Sequence, residues 1–207
     1  MNIDAPYPVQ YSVDYPDRQL SRLTSFFRLG MVIPIGIVLA LIEGGGYASG
    51  GSGKVAGAVG LVVLPTLLLI LFRQKYPRWW FDWNIELMRF SARVGVYLAL
   101  MDDRYPSTDE HQAVHLEFAY PDARNDLNRW LPLVKWLLAI PHYVVLFFLY
   151  IAAIFVVIVA WFAILFTGRF PRGMFNFLVG VGRWTNRVIA YAHVMVTDSY
   201  PPFRLAP

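Results

Sequence analysis

The sequence predicts a mainly α-helical integral membrane protein made of two tandem repeats, with short β-strands on the cytoplasmic side. Three observations lead to this fold class. The 207 residues are 57% apolar and 15% charged, whereas soluble domains carry about 25% charged residues. Long runs without a charged side chain alternate with arginine-rich runs, and the second half of the chain echoes the first.

An internal duplication sets the predicted domain boundaries. The motif Tyr15-Pro16-Asp17 returns as Tyr120-Pro121-Asp122 at an offset of 105 residues. The spacing of Arg89, Arg93 and Tyr97 returns as Arg183, Arg187 and Tyr191 at an offset of 94 residues. Such a period is typical of membrane proteins built from two related parts. We therefore expect a first repeat over residues 1–106, a linker over 107–113 and a second repeat over 114–207.

In the first repeat, residues 9–13 alternate between apolar and polar side chains and predict a strand. A membrane helical hairpin is expected over about residues 23–72, with the glycine-rich residues 44–53 as its flexible connector. An amphipathic helix should follow over about residues 80–101. The two arginines within that helix make a lipid-spanning position costly, which favours a position at the membrane interface.

The second repeat is expected to follow the same plan. Residues 114–118 predict a second strand, which could join the first strand and residues 200–203 in a small cytoplasmic β-layer. Residues 136–168 contain no acidic or basic side chain apart from His142, and they allow either one long helix or a hairpin. The prediction is a hairpin over about residues 130–168, followed by an interfacial helix over about residues 173–196.

The hairpin is preferred because it keeps the basic residues on one side of the membrane. With it, 17 of the 18 Lys and Arg residues lie on the cytoplasmic side, and Lys54 alone lies outside. This topology predicts a multi-pass protein of the bacterial inner membrane with both termini cytoplasmic. The first 28 residues lack a signal-peptide core, so the first apolar segment is expected to act as an uncleaved anchor.

The arginine pairs are the main candidate binding residues. Arg89 and Arg93 lie one helical turn apart, as do Arg183 and Arg187, so each pair shares a helix face. Two guanidinium groups at this spacing can bind a phosphate or a carboxylate. The simpler interpretation, which we favour, is contact with lipid headgroups or with neighbouring acidic residues.

His142 is a candidate intramembrane polar site, because a polar side chain at membrane depth often has a function. His111 and His115 have a metal-like spacing but no evident third ligand, so no metal site is predicted. The sequence contains neither a phosphate-binding glycine loop nor a hydrolase or metalloprotease motif, and it has no cysteine. We therefore predict no catalytic residue and no cofactor. Basic residues that alternate with aromatics at a membrane interface also argue against nucleic-acid binding.

The second half resembles a known family. The stretches YPDARNDLNRWLPLVKWLLAIPHYVVLFFL, WFAILFTGRFPRGMFNFLVGVGRWTNRVIAYA and TDSYPPFRL are similar to the bacterial membrane family catalogued as domain of unknown function 4389. The first half looks like a diverged copy, with the glycine-rich insert and with Ile35 in the place of His142. The resemblance implies an integral membrane protein with tandem repeats and implies no activity.

These observations predict a non-catalytic integral membrane protein, an accessory or scaffolding subunit that binds lipid and a membrane protein partner or a second copy of itself. Two alternatives remain open from the sequence. One is a small transporter or channel with a path between the two hairpins, in which His142 would supply a polar group. The other is a lipid-modifying enzyme whose site the motifs do not reveal.

Overall fold

The computed structural model describes residues 7–22, 24–25, 27–28, 63–108, 110 and 112–207. These residues form two strands and five helices: β1 Val9–Val13, α1 Val63–Arg73 (π-helical over Leu69–Arg73), α2 Arg78–Leu98, β2 Val114–Phe118, α3 Pro132–Leu138, α4 Ile140–Thr167 and α5 Arg172–Ala192. The mainly helical class with a small two-stranded sheet is thus confirmed. Most of the first arm of the first hairpin, its glycine-rich connector and Lys54 lie within residues 29–62, outside the described residues.

The two strands have the predicted bounds and pair with each other in antiparallel orientation. Tyr11 lies opposite Leu116, and Val9 lies opposite Phe118. Val9, Tyr11 and Leu116 are buried on one face, while the alternate positions are exposed, as a period of two requires. The expectation that residues 200–203 join this β-layer is wrong, because they form no strand. Two of these four residues are prolines, which cannot donate to a β-ladder.

Helices α2 and α5 are present where amphipathic helices are predicted. Helix α2 ends three residues before its predicted end, and α5 ends four residues before its predicted end. The helices end at Leu98 and Ala192, and shortly afterwards Leu100 and Met195 adopt left-handed conformations with φ of 64° and 59°. The predicted helices are too long for a physical reason. The residues after both helices are apolar and buried in the core, so the apolar pattern continues although the helix does not.

The predicted hairpin over residues 130–168 is wrong. The structure has a short helix, α3, followed by the continuous helix α4 of 28 residues, which ends at Gly168 with φ of 71°. At 1.5 Å per residue α4 is about 42 Å long. Pro141 does not break the helix because it occupies the first turn, where no intrahelical N–H bond is lost. The helix that returns along α4 is α5.

Helix α5 lies between α4 and the sheet. It packs against α4 along one side, where the hydroxyls of Tyr150 and Thr185 are 2.9 Å apart and the rings of Tyr143 and His193 are 6.1 Å apart. On its other side α5 packs against β1, while α2 packs against β2. Each long amphipathic helix therefore supports the strand that belongs to the other half of the chain.

Among the described residues, α4 is the one helix whose length and composition would allow it to cross a membrane. The argument that 17 basic residues share one side required the hairpin over residues 130–168, so it no longer follows. The described ends of the chain do meet, because the Tyr7 hydroxyl donates to the Ser199 carbonyl at 3.0 Å. The N-terminal and C-terminal segments therefore lie on the same side of the molecule.

Candidate functional site

The arginine pair of α2 binds backbone carbonyl groups. The Nε of Arg89 donates to the Leu116 carbonyl at 2.9 Å, and Nη1 of Arg93 donates to the Ser107 carbonyl at 2.8 Å. Arg89 also forms an ion pair with Glu86 at 2.5 Å. The contact to an acidic neighbour, one of the two expected roles, is therefore present for Arg89.

The arginine pair of α5 does the same with β1 and the C-terminal tail, residues 199–207. Arg183 donates from Nε to the Tyr11 carbonyl at 3.1 Å and from Nη1 to the Leu205 carbonyl at 2.8 Å. Arg187 donates to the carbonyls of Arg204 at 3.3 Å and Ala206 at 2.9 Å. Burial lowers the pKa of both guanidinium groups, but the ordinary pKa of arginine is so high that both stay charged.

These partners change the interpretation of the four arginines. The side chains within each pair do share a helix face, but Arg187 is only 2% exposed and Arg93 only 8% exposed. In this conformation these two hold chain segments together and have little surface for a lipid headgroup. Contact with lipid or another anion stays a prediction for Arg89 and Arg183. Sequence reasoning missed the carbonyl partners because a backbone group leaves no mark in the sequence.

The two arginine pairs act reciprocally across the sheet. Arg89 belongs to the first half and binds Leu116 on β2, whereas Arg183 belongs to the second half and binds Tyr11 on β1. Tyr11 and Leu116 are themselves paired in the sheet register. Equivalent arginines thus hold equivalent residues, each in the opposite half of the chain.

The Tyr-Pro motifs form a second reciprocal pair of contacts. The Tyr15 hydroxyl donates to the Phe170 carbonyl, and the Tyr120 hydroxyl donates to the Tyr76 carbonyl, both at 2.5 Å. Each tyrosine ring also carries a guanidinium group on its face, at 4.7 Å for Arg172 over Tyr15 and 4.8 Å for Arg78 over Tyr120. The partners again differ by the offsets of the sequence repeat, 105 residues for the tyrosines and 94 for the others.

In each half, one buried cation binds backbone carbonyls near the end of that half. Nη1 of Arg28 donates to the carbonyls of Tyr97 and Asp102 at 3.0 and 2.8 Å. Its counterpart Lys135 donates to the Thr197 carbonyl at 2.8 Å and pairs with Asp198 at 2.7 Å. Burial lowers the pKa of Lys135, and the neighbouring Asp198 partly offsets this by favouring the charged form. The sequence pairs Arg28 with Lys135 at an offset of 107 residues, but it did not predict these carbonyl partners, and Arg28 was expected at the lipid headgroups.

His142 is buried in an aromatic enclosure rather than open to a path. Its Nδ1 accepts a hydrogen bond from Nε1 of Trp184 at 3.0 Å. Its ring stacks on Phe203 with centroids 4.0 Å apart and lies 4.8 Å from the ring of Tyr200. The C-terminal tail therefore encloses His142, and the role of His142 as an intramembrane polar site stays a prediction.

The histidines that suggested a metal do not form a cluster in the described part of the chain. His115 pairs with Asp14 at 2.9 Å, both at the surface. No group of three His, Cys, Asp or Glu residues with metal-binding geometry occurs among the described residues. His111 and Asp109 lie outside them.

A cavity of about 840 Å³ lies between α2, α4 and α5, under Tyr11 of β1. Its wall is mainly apolar, with polar side chains that include Asn84, Ser91, Thr185, Asn186 and His193. Among the described residues, Oδ1 of Asn84 and Nδ1 of His193 are buried without a hydrogen-bond partner. Burial lowers the pKa of His193, which keeps its ring neutral at physiological pH. The sequence did not indicate this cavity, because its walls come from three separate helices.

Comparison with known proteins gives one family. Residues 130–204, which contain α3, α4, α5 and most of the C-terminal tail, match the model of the family described as Domain of unknown function (DUF4389). No curated protein and no solved structure matches the chain. The resemblance found in the sequence is confirmed over the matched residues.

Proposed function

We propose, from the membership of residues 130–204 in the DUF4389 family and from the exposed apolar surface of α4, that the chain is a non-catalytic membrane protein. Its role is that of an accessory or scaffolding subunit, which is held in the bilayer by α4 and presents a surface to a membrane protein partner. The two ends of the described chain lie together, and the proposal assigns them to the cytoplasmic side of the bacterial inner membrane.

The outward surface of α4 carries this proposal. Phe147, Phe148, Ile154 and Phe155 are each more than 60% exposed, and Phe155 is 65% exposed. Covering one such side chain is worth about 1.5–3 kcal/mol, so a surface of this size is costly in water. Helix α4 has no charged residue over its 28 positions, and a helix at the membrane surface would need a polar face. Lipid and a membrane partner are therefore the fitting surroundings.

Exposed tryptophans support the same assignment. Of the seven Trp residues in the chain, four are among the exposed large apolar side chains: Trp79, Trp83, Trp130 and Trp136. Tryptophan is enriched at the headgroup depth of membranes, where its ring is half apolar and its N–H can be solvated. Trp79 and Trp83 lie in the first two turns of α2, so this end of the helix suits headgroup depth.

The second part of the proposal is that the chain is a tandem repeat with a local twofold axis through the sheet. Three independent sets of contacts support it: the arginine–carbonyl bonds, the tyrosine–carbonyl bonds and the buried cations. In the first two sets, the contact in one half and the contact in the other are made by residues that correspond at the repeat offsets of 94 and 105. If the sequence similarity were due to chance, corresponding residues of the two halves, such as Arg89 and Arg183, would not make equivalent contacts.

A scaffolding role fits the way in which the polar side chains are used. Arg93, Arg187 and Lys135 are buried and hold loops, strands and the C-terminal tail in place. His142 accepts a hydrogen bond from Trp184 and is covered by aromatic rings. Such groups make a rigid body, which suits a protein that positions a partner.

The test is a charge placed on the exposed surface of α4. The full chain with Phe155→Lys is compared with the wild type and with Tyr105→Lys, which changes an exposed aromatic residue outside α4. We expect Phe155→Lys to lower retention in alkaline-washed membranes and to reduce partners captured by cross-linking, since a lysine at bilayer depth costs about 2.5–3.5 kcal/mol. Tyr105→Lys should retain both properties.

Two results would contradict the proposal. If the wild type leaves the membrane on alkaline washing, α4 is not a membrane anchor. If purified protein in liposomes carries a solute flux that Phe155→Lys does not alter, the transporter alternative is correct instead. An impermeant maleimide on Ser12→Cys, in a chain without cysteine, should label only after the cells are opened if β1 is cytoplasmic.

A further inference from the structure

The cavity between α2, α4 and α5 contains polar residues that the repeated architecture does not require. This comparison rests on the tandem repeat put forward under the proposed function. At the offset of 94 residues, Asn84 corresponds to Leu178, Asn186 to Ala92, and His193 to Ala99. All six residues line the cavity. At each pair of positions, one half has an apolar side chain and the other half has a polar one.

An apolar side chain therefore satisfies the packing at these positions in one of the two halves. A buried polar group without a hydrogen bond destabilises the folded state, because it loses its hydrogen bonds to water. Asn84 is only 1% exposed, and its Oδ1 has no hydrogen-bond partner among the described residues, while its Nδ2 donates to the Trp80 carbonyl at 2.7 Å. Nδ1 of His193 is buried without a partner as well. This cost arises at Asn84 in the first half and at His193 in the second half, whereas their counterparts Leu178 and Ala99 avoid it.

We propose that the cavity binds an uncharged membrane lipid with a hydroxyl headgroup, whose hydrocarbon chain lies along α4 and whose hydroxyl is held by Asn84 and His193. Oδ1 of Asn84 accepts a hydrogen bond from the hydroxyl, and the imidazole of His193 supplies the second polar contact. A volume of about 840 Å³ lies within the range of roughly 300–1,000 Å³ that small-molecule sites occupy.

The lipid class follows from the charge of the wall. The described lining residues include no Lys, Arg, Asp or Glu, and burial disfavours the charged form of His193. A phosphate or carboxylate headgroup would be desolvated there without a cation, which is costly. An uncharged hydroxyl loses much less on entry and gains hydrogen bonds to groups that otherwise lack them.

The bilayer is the source of the ligand. Tyr150, Ile154 and Ile158 of α4 line the cavity, and all three are also among the exposed large apolar side chains. The wall of the cavity is thus continuous with the surface that α4 presents to lipid. A lipid can reach the cavity along α4 without passing through water.

The test fills the cavity and leaves the rest of the chain unchanged. A Cβ added at Gly95, which lines the cavity, would meet no heavy atom within 4 Å, so Gly95→Leu should project into open space. Gly173 is equally free of neighbours but does not line the cavity, which makes Gly173→Leu the matched control. Ala92→Leu is a second filling variant. Thermal unfolding in detergent checks that each full-length variant is folded.

The probe is diacylglycerol with a photoreactive group in one acyl chain, and phosphatidic acid with the same chains is the charged comparison. We expect diacylglycerol to label cavity-lining peptides of α2 and α5 in the wild type and in Gly173→Leu, with the lipid-facing helix α4 as the labelling reference. Labelling should fall at least tenfold in Gly95→Leu and in Ala92→Leu. Equal labelling in folded filling variants and the wild type would overturn the proposal.

The headgroup contacts are tested by giving each polar residue the side chain of its counterpart, Asn84→Leu together with His193→Ala. This variant should still take up the acyl chain, but its preference for diacylglycerol over phosphatidic acid should fall about tenfold, the effect of losing one to two hydrogen bonds. An unchanged preference, or equal wild-type labelling by both lipids, would contradict the assignment. Failure of these tests while α4 stays in alkaline-washed membranes would leave the proposed function intact.

Discussion

At the scale of single residues, arginine side chains replace secondary structure in holding distant segments together. Arg187 is buried and donates to two carbonyls of the C-terminal tail, which forms no strand or helix of its own. A tail in this position has no other source of regular backbone hydrogen bonds. The guanidinium group supplies several donors in a fixed plane and thereby fixes a segment that the sequence alone would leave undetermined.

Replacing Arg187 should therefore destabilise the protein whether or not lipid is present. We expect Arg187→Gln to lower the free energy of unfolding by about 1.5–3 kcal/mol, the value of a hydrogen bond with a charged partner. Arg124→Gln, which changes an exposed arginine, should lie within about 0.5 kcal/mol of the wild type. Thermal unfolding in detergent with and without anionic lipid measures both. A loss that appears only with anionic lipid would restore the headgroup interpretation of Arg187.

At the scale of elements, close packing of α5 against its neighbours depends on two glycines. A Cβ at Gly182 would lie 2.8 Å from Cε1 of Tyr11, and a Cβ at Gly180 would lie 2.9 Å from Cβ of Leu205. These distances are shorter than a van der Waals contact, so glycine allows β1 and the C-terminal tail to approach α5. The counterpart of Gly182 in α2 is Met88, so the first half does not use a glycine at this position.

A methyl group at position 182 should accordingly loosen the packing of β1. We expect Gly182→Ala to lower the free energy of unfolding by about 1–3 kcal/mol, because the Tyr11 ring must move. Gly173→Ala should be neutral or stabilise the protein by up to about 1 kcal/mol, since the added methyl meets nothing and alanine favours a helix. Chemical denaturation of the two variants measures the difference. Equal stabilities would show that the close approach of Tyr11 to position 182 does not contribute to the free energy of unfolding.

The elements also show what the sequence can and cannot predict. The bounds of β1 and β2 are predicted correctly, because a strand exposed on one face must alternate polar and apolar residues. The hairpin over residues 130–168 is wrong, because a run without charge is compatible with one helix or with two. The charge rule that decided between them describes the location of loops, and it cannot show that α5, with Arg183 and Arg187, is the helix that returns along α4.

The candidate site, like the elements, is predicted only in part by the sequence. The arginines and His142 are prominent in the sequence, and their grouping on helix faces follows from spacing. Their carbonyl and aromatic partners lie up to 172 residues away, as for Arg183 and Tyr11. The cavity is hidden for a similar reason, because Asn84 and His193 become neighbours of one space only after three helices have packed.

At the scale of the whole molecule, neither half of the chain is complete without the other. Helix α5 of the second half supports β1 of the first, and α2 of the first half supports β2 of the second. The Tyr15 and Tyr120 hydroxyls bind across the same division. The core is therefore shared, and it cannot be divided into two independent domains at the linker.

This sharing predicts that the chain can be cut but that its halves cannot be used singly. Residues 1–108 and 109–207 produced as two chains should each be unstable when expressed alone and should assemble when expressed together. Size-exclusion chromatography of the tagged pair measures the assembly, and Arg89→Gln with Arg183→Gln should weaken it. Recovery of either half alone with cooperative thermal unfolding would refute a shared core.

The pairing of β1 with β2 also has a consequence for the synthesis of the protein. About 100 residues separate the two strands along the chain. At a ribosomal rate of about 5–20 residues per second, β1 emerges roughly 5–20 s before its partner strand. During this interval β1 lacks its partner strand, and in the last part of the interval α2 is also complete without the strand on which it packs. The nascent first half must therefore be kept from associating with other chains until the second half has been made.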